Sequence, residues 1–193
     1  MGPRRRLLPE ERRGELLDAG ARLFATRPYD EVLMEDVAEL AGVSRANLYR
    51  YYSSKRDLFA AIYRRAADDL LTGVQVDPDR PIAEQVSDGL DAHIDYFAAN
   101  RQTVLSANRT LAGDPTIQAI ILDEMGQFRQ RLLETSELAG LRREVASATL
   151  NAWLMFVRAI CVDWLVDENF SRTELRDICL GALQGALASA SED

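Results

Sequence analysis

Apolar residues recur three and four positions apart along nearly the whole chain, and no segment keeps the period of two that a half-buried strand needs. No Asn-Gly or Asp-Gly turn links β-branched runs, so hairpins are not expected. The pattern predicts an all-α fold of about nine helices. Helix 1 is expected over residues 9–25, with Pro9 at its first position, Glu10 and Glu11 complementing the dipole, and Leu16, Leu17, Gly20, Leu23 and Phe24 as its buried stripe. A short helix over 34–41 buries Val37, Ala38 and Ala41 and stops at Gly42, which suits the left-handed position after a helix end. Ser44 caps the next helix, 45–51, and Ser54 with Asp57 opens a fourth that runs to about residue 72.

Beyond a break at 73–81, where Asp77-Pro78-Asp79-Arg80-Pro81 interrupts the pattern, helices are expected over 81–100, 102–111, 115–138, 141–166 and 172–189. Asp114-Pro115 marks one start, Ala139-Gly140 one stop, and Ser171-x-x-Glu174 a capping box for the last helix. Two units follow: residues 1–60, a three-helix unit with a basic arm at Arg4-Arg5-Arg6, and residues 61–193, a larger helical unit.

The segment 34–59 carries the most specific signal. Two short helices joined by Ala41-Gly42-Val43-Ser44, with a third opening directly afterwards, have the layout of a helix-turn-helix DNA reader. In the run from Ser44 to Tyr52, Leu48 and Tyr52 fall four apart and are expected to be buried. Arg45, Ala46, Asn47 and Tyr49 are then left to face a major groove, which admits one helix. Arg45 has the geometry to pair with guanine, Asn47 with an adenine edge, and Ala46 to touch a thymine methyl. Tyr51 and Lys55 are placed to grip phosphates, with Ser44 and Arg50 flanking them, and the start of helix 4 offers free backbone N–H groups.

The net charge of −8 looks wrong for such a partner. The distribution removes the objection: residues 1–60 hold 11 basic and 10 acidic residues, leaving 12 basic and 21 acidic in 61–193. Local field rather than whole-chain charge governs the encounter with DNA.

Residues 33–59 resemble the DNA-binding domain of tetracycline-repressor-type (TetR family) regulators, through Asp36-Val37-Ala38, Ala41-Gly42-Val43-Ser44-Arg45, Leu48-Tyr49-Arg50-Tyr51-Tyr52 and Ser54-Lys55-Arg56-Asp57-Leu58. Close resemblance covers residues 10–65; beyond it only length and helical layout are similar. The resemblance implies a homodimer, a palindromic double-stranded operator and repression relieved by a small ligand. It also implies DNA contacts at Arg45, Ala46, Asn47, Tyr49, Tyr51 and Lys55. One departure stands out: the family often places Thr or Ser at the start of helix 2, where this chain has Val32, Leu33 and Met34, and Glu35 sits where a basic residue can occur. The Arg4-Arg5-Arg6 arm offers an alternative grip in an adjacent minor groove.

Helix 8 is apolar around much of its surface, and helix 9 carries Gly181, Ala182, Gly185, Ala186 and Ala188, so a dimer through helices 8 and 9 is expected. An effector pocket is expected among helices 5 to 8, lined by His93, Tyr96, Phe97, Asn100, Asn108, Met125, Phe128, Arg129, Trp153 and Phe156, and suited to a small organic ligand. No cofactor is expected. Cys161 and Cys179 with the single His93 make no metal-ligand spacing, and no Ser/His/Asp or Cys/His set or phosphate-cradling Gly loop points to an enzyme. No run approaches the roughly 20 apolar residues of a membrane span and no signal-peptide core follows the basic N-terminus, so a cytoplasmic protein is expected. A DNA-binding dimer without an effector, controlled by a protein partner or by abundance, is the alternative reading; a cavity between helices 5 and 8 would discriminate against it.

Overall fold

The structure, a computed structural model, describes residues 8–73, 77, 80–135, 138 and 142–190. The basic arm at 4–6, Pro78-Asp79 and the helix break at 139–140 lie outside the described residues. The fold is all-α. Its helices are α1 (Pro9–Thr26), α2 (Met34–Leu40), α3 (Arg45–Tyr51), α4 (Lys55–Gly73), α5 (Ile82–Ala99), α6 (Arg101–Leu105), α7 (Pro115–Leu132), α8 (Arg143–Asp167) and α9 (Arg172–Ala190). A 3-10 turn at Tyr29–Glu31 leads into α2.

Local chemistry accounts for several of these boundaries. Past α2, Gly42 adopts φ 64°, and its N–H donates to Glu39 O (3.0 Å) while Val43 N–H donates to Ala38 O (2.9 Å). These two bonds satisfy the terminal carbonyls in a Schellman arrangement that L residues resist at the glycine position. The chain then re-enters α3 under Ser44, whose hydroxyl accepts from Asn47 N–H at 3.2 Å. Asp114 caps α7 by accepting from Thr116 and Ile117 N–H groups. Ser171 and Glu174 form a reciprocal capping box on α9, at 2.7 and 3.2 Å.

Two hydrophobic clusters organise the chain. The first joins α1 to α4, around Leu16, Phe24, Val37, Leu48, Leu58 and Phe59, and it also takes in Ile117, Ile120, Ile121 and Met125 of α7. Gly20 allows the close approach of α1 and α4, since a Cβ there would stand 2.7 Å from Ile62 Cδ1. The second cluster joins α5 to α9 around Ile94, Phe97, Val104, Leu150, Cys161, Leu175 and Cys179. The division at 60/61 therefore falls inside α4, whose residues as far as Ala67 pack in the first cluster. Ala41, Leu17 and Leu23 are only half-buried at its edge.

Two helices differ from their expected spans. The segment 102–111 is not one α-helix: α6 ends at Leu105 and a π-helical turn covers Ser106–Thr110, closed by Leu111 N–H donating to Ser106 O at 2.8 Å. The reason is tertiary, because the wider turn leaves Asn108 facing Arg158 of α8, whose Nε donates to Asn108 Oδ1 at 2.8 Å. α7 ends at Leu132 rather than 138; there Thr135 turns back and donates through both its N–H and its hydroxyl to Leu132 O (3.2 and 2.8 Å), replacing the next helical turn. α8 is by length and composition apolar enough to cross a membrane. In this fold it is the central helix of the second cluster and buries Arg158 among polar partners.

Candidate functional site

α3 stands on Leu48 (fully buried) and Tyr52 (4% exposed), which fixes the face it turns outward. Arg45, Ala46, Tyr49 and Arg50 are exposed, and Asn47, Tyr51 and Lys55 half-exposed. Arg45 is not free: its Nη1 lies 2.7 Å from Glu35 Oε1, and its guanidinium sits 5.4 Å from the Tyr49 ring centre. Glu35 thus reaches from α2 to the leading side chain of α3.

Lys55 is also engaged. Its Nζ donates to Tyr29 O at 2.8 Å and Asp30 O at 3.4 Å, and lies 4.5 Å from the Tyr29 ring centre. An ammonium group has three donors, so one remains for a further acceptor. Ser53 donates to Asp57 Oδ2, and Asp57 N–H donates to Ser54 Oγ (3.1 Å), which closes the start of α4. The apolar entry to α2 has a structural reason: Val32 and Met34 are buried, whereas Leu33, at the N-cap, is 53% exposed and offers no cap to the helix.

The second region is an apolar cavity, open to solvent at its mouth, between α5, α7 and α8. It brings together His93, Met125, Phe128 and Trp153 of the expected lining. The other six expected residues are not in its wall. Tyr96 and Asn100 line a separate cleft facing α4, and Asn100 Nδ2 is spent on Tyr96 O (3.0 Å). Phe97, 2% exposed, packs beneath His93 with ring centres 4.0 Å apart. Asn108 holds Arg158 instead. Arg129 donates to Asn151 Oδ1 at 3.5 Å, bridging α7 to α8, and Phe156 points outward from α8, 38% exposed.

Two charged side chains that the sequence pattern does not single out, Glu124 (4% exposed) and Arg158 (9% exposed), also line the cavity. Each interrupts an apolar stripe of its helix, Glu124 between Ile121 and Phe128 and Arg158 between Leu154 and Cys161. A charge on the inward stripe of a buried helix is the signal that could have found them. Their closest atoms are 3.8 Å apart. Arg158 Nη2 also donates to Tyr63 OH of α4. Burial pushes the Glu124 carboxyl above its ordinary range, with Arg158 opposing. Burial, and secondarily Arg158, push the His93 imidazole from 6.5 to about 3, so it is neutral at pH 7. The His93 Nε2 atom is shielded and has no hydrogen-bond partner.

α7 connects this cavity to the reader. Arg56 of α4 makes a forked contact with Asp114, the cap of α7, and donates to Thr116 Oγ1 at 2.8 Å. Arg64 meets Asp123 at 3.4 Å, and Arg131 donates to Leu71 O.

A short capped helix turned outward over a buried Leu-Tyr base, carried on a helical body with an apolar cavity, defines a helix-turn-helix protein of the DNA-reading type. Residues 16–62 match the profile of bacterial regulatory proteins of the tetR family, and the chain belongs to that family. The transcriptional activator FasR of Mycolicibacterium smegmatis is 43% identical over 70 residues, covering 36% of this chain and 32% of that protein. The transcriptional repressor KstR2 of Rhodococcus jostii is 30% identical over 143 residues, 73% of this chain and 64% of that protein. The chain thus spans less than two thirds of the length of these relatives. Among solved structures, a tetR-family transcriptional regulator from Streptomyces coelicolor matches with a TM-score of 0.85 and 21% identity over 96% of this chain and 84% of that one. The fatty acid degradation regulator FadR from Bacillus halodurans matches with a TM-score of 0.71 and 15% identity, over 95% and 97%. These two likenesses concern the fold.

Proposed function

We propose that this chain is a dimeric, ligand-responsive transcriptional repressor that binds a palindromic operator through α3. The observation that carries the reading is the outward face of α3, where Arg45, Ala46, Asn47 and Tyr49 stand together over a buried base. In this reading Arg45 and Asn47 read base edges, Ala46 and Tyr49 make groove contacts, and Tyr51, Arg50, Ser44 and Lys55 meet the backbone. Glu35 pairs with Arg45 in the absence of DNA and is itself repelled by phosphate, so DNA binding separates the two.

Dimerisation through α8 and α9 is supported by an unpartnered apolar face. Met155 and Phe156 of α8 and Ile178 of α9 are 55%, 38% and 43% exposed, and Gly181 and Gly185 of α9 open onto empty space. Two readers on one dimer must match half-sites roughly 34–36 Å apart or a multiple. An effector in the α5–α7–α8 cavity acts on that spacing, because α7 is both a wall of the cavity and the partner of α4 at Asp114, Asp123 and Arg131. A ligand that prefers the displaced state releases DNA by linkage. The cavity favours this reading over a regulator without effector.

The test is selection from a pool of random duplexes by the purified protein. An enriched inverted repeat is expected, with one base per half-site losing definition for Arg45→Ala. Enrichment of no sequence, or an identical logo for Arg45→Ala, contradicts the proposal.

A further inference from the structure

The effector cavity carries more information about its occupant than its size. Its wall along α5 runs from Gln85 to His93, a rise of roughly 12 Å at 1.5 Å per residue, the reach of a medium-chain alkyl group. Most of the lining is aliphatic or aromatic. Gln85 is occupied, bonded to the backbone of Asp77 and Arg80 at 2.7 to 2.8 Å. That leaves three polar groups, His93, Glu124 and Arg158.

Each constrains a ligand head. Arg158 is tied to Asn108, Tyr63 and Glu124, and has little to offer without giving up those bonds. No described residue donates a hydrogen bond to Glu124, whose one charged neighbour stands 3.8 Å away. It therefore has open acceptor capacity. His93 Nε2 is shielded without a partner, an unsatisfied state that a bound polar head would relieve. The site is already neutral in sum, because Glu124 and Arg158 offset each other and His93 is uncharged. A carboxylate head would add a negative charge beside Glu124, and an ammonium a positive charge beside Arg158, each in an apolar enclosure that does not compensate it.

We infer that the effector is an uncharged, predominantly apolar molecule with a hydroxyl head, which donates to Glu124 and pairs with His93 Nε2. With its one proton given to Glu124, the hydroxyl oxygen accepts from His93 Nε2–H, so the pairing takes the tautomer protonated at Nε2. This inference rests on the cavity being the effector site, yet it concerns which head the cavity selects.

The experiment titrates the purified full chain with 1-decanol, decanoate and decylamine at pH 7.5, by calorimetry and by the fluorescence of Trp153 in a Trp164→Phe background. 1-Decanol is expected to bind at least tenfold tighter than either charged analogue. His93→Phe, which keeps both charges but removes one hydrogen-bond partner, is expected to weaken 1-decanol several-fold and so narrow that preference. Glu124→Gln leaves Arg158 uncompensated and is expected to reverse it in favour of decanoate. Decanoate or decylamine binding wild type as tightly as the alcohol, absence of binding by all three, or a preference unchanged in both variants would overturn the inference. The wild-type ligand series decides even if a variant fails to fold. Operator release is measured separately. A charged analogue that binds best and releases DNA sinks the head-group inference and leaves the effector reading standing; an alcohol that binds selectively without altering DNA affinity does the reverse.

Discussion

Arg158→Met removes the cation at the centre of the second unit, and the structure sets the scale of the loss. The substitution keeps an unbranched apolar stem but deletes a 2.8 Å bond to Asn108, the bond to Tyr63, and the charge 3.8 Å from Glu124. Removing one partner of a buried pair costs about 3–5 kcal/mol, because the other charge is stranded. Glu124 has an escape: it can take up a proton. Bringing a carboxyl from its ordinary 4.5 to a neutral state at pH 7.5 costs at most about 4 kcal/mol, at about 1.4 kcal/mol per unit. The single variant is therefore expected to lose about 3–4 kcal/mol.

Adding Glu124→Gln removes the stranded charge, so the double variant should lose only about 1–3 kcal/mol, the value of the bonds to Tyr63 and Asn108. The assay is urea unfolding of wild type, both single variants and the double at one protein concentration, since a dimer's stability depends on it. A coupling of at least about 2 kcal/mol is expected. The pH dependence has a definite sign. In Arg158→Met the folded-state pKa of Glu124 is raised, so the folded state holds the extra proton and the deficit relative to wild type shrinks as pH falls from 7.5 toward 5. Strictly additive losses, or a deficit that ignores pH, would refute the reasoning.

Other consequences are equally direct. Glu35→Gln removes the anion that holds Arg45, and operator affinity is expected to tighten a few-fold at low salt; weaker binding in a filter or anisotropy assay would show that Glu35 assists instead. Lys55 is the only lysine in the chain, so amine-selective modification read by mass spectrometry should show it protected by bound duplex, and equal labelling with and without DNA contradicts a phosphate contact. His93 is held neutral in the fold and protonates freely when unfolded, so wild type should lose up to about 2 kcal/mol between pH 6.5 and 5 that His93→Phe does not lose, at about 1.4 kcal/mol per pH unit; parallel profiles would contradict its burial.

The reader was legible because its signals are local. Gly42 at positive φ, the Ser44 cap and the four-residue spacing of Leu48 and Tyr52 each act within one or two turns of chain. The cavity was legible only in part, because burial there depends on which helices meet. His93, Met125, Phe128 and Trp153 converge, while Phe156, on the same helix as Trp153, turns to solvent by the rotation of α8. Glu124 and Arg158 look like surface charges until α7 and α8 are placed face to face. The π-helical turn at Ser106–Thr110 is set by the bond between Asn108 and Arg158, 50 residues apart, and the end of α7 by a weak Thr135 turn, with no Gly or Pro from 133 to 139 to announce it.

In the proposed mode α3 reads sequence while its flanks grip phosphate, and the two roles separate by mutation. The most direct measurement is fluorescence anisotropy of a selected duplex and a scrambled one, between 50 and 200 mM salt, for wild type and for Arg45→Ala/Asn47→Ala. Wild type is expected to discriminate the two duplexes, and the double variant to bind both alike with a nearly unchanged salt slope. Discrimination that survives the loss of both side chains would contradict this mode.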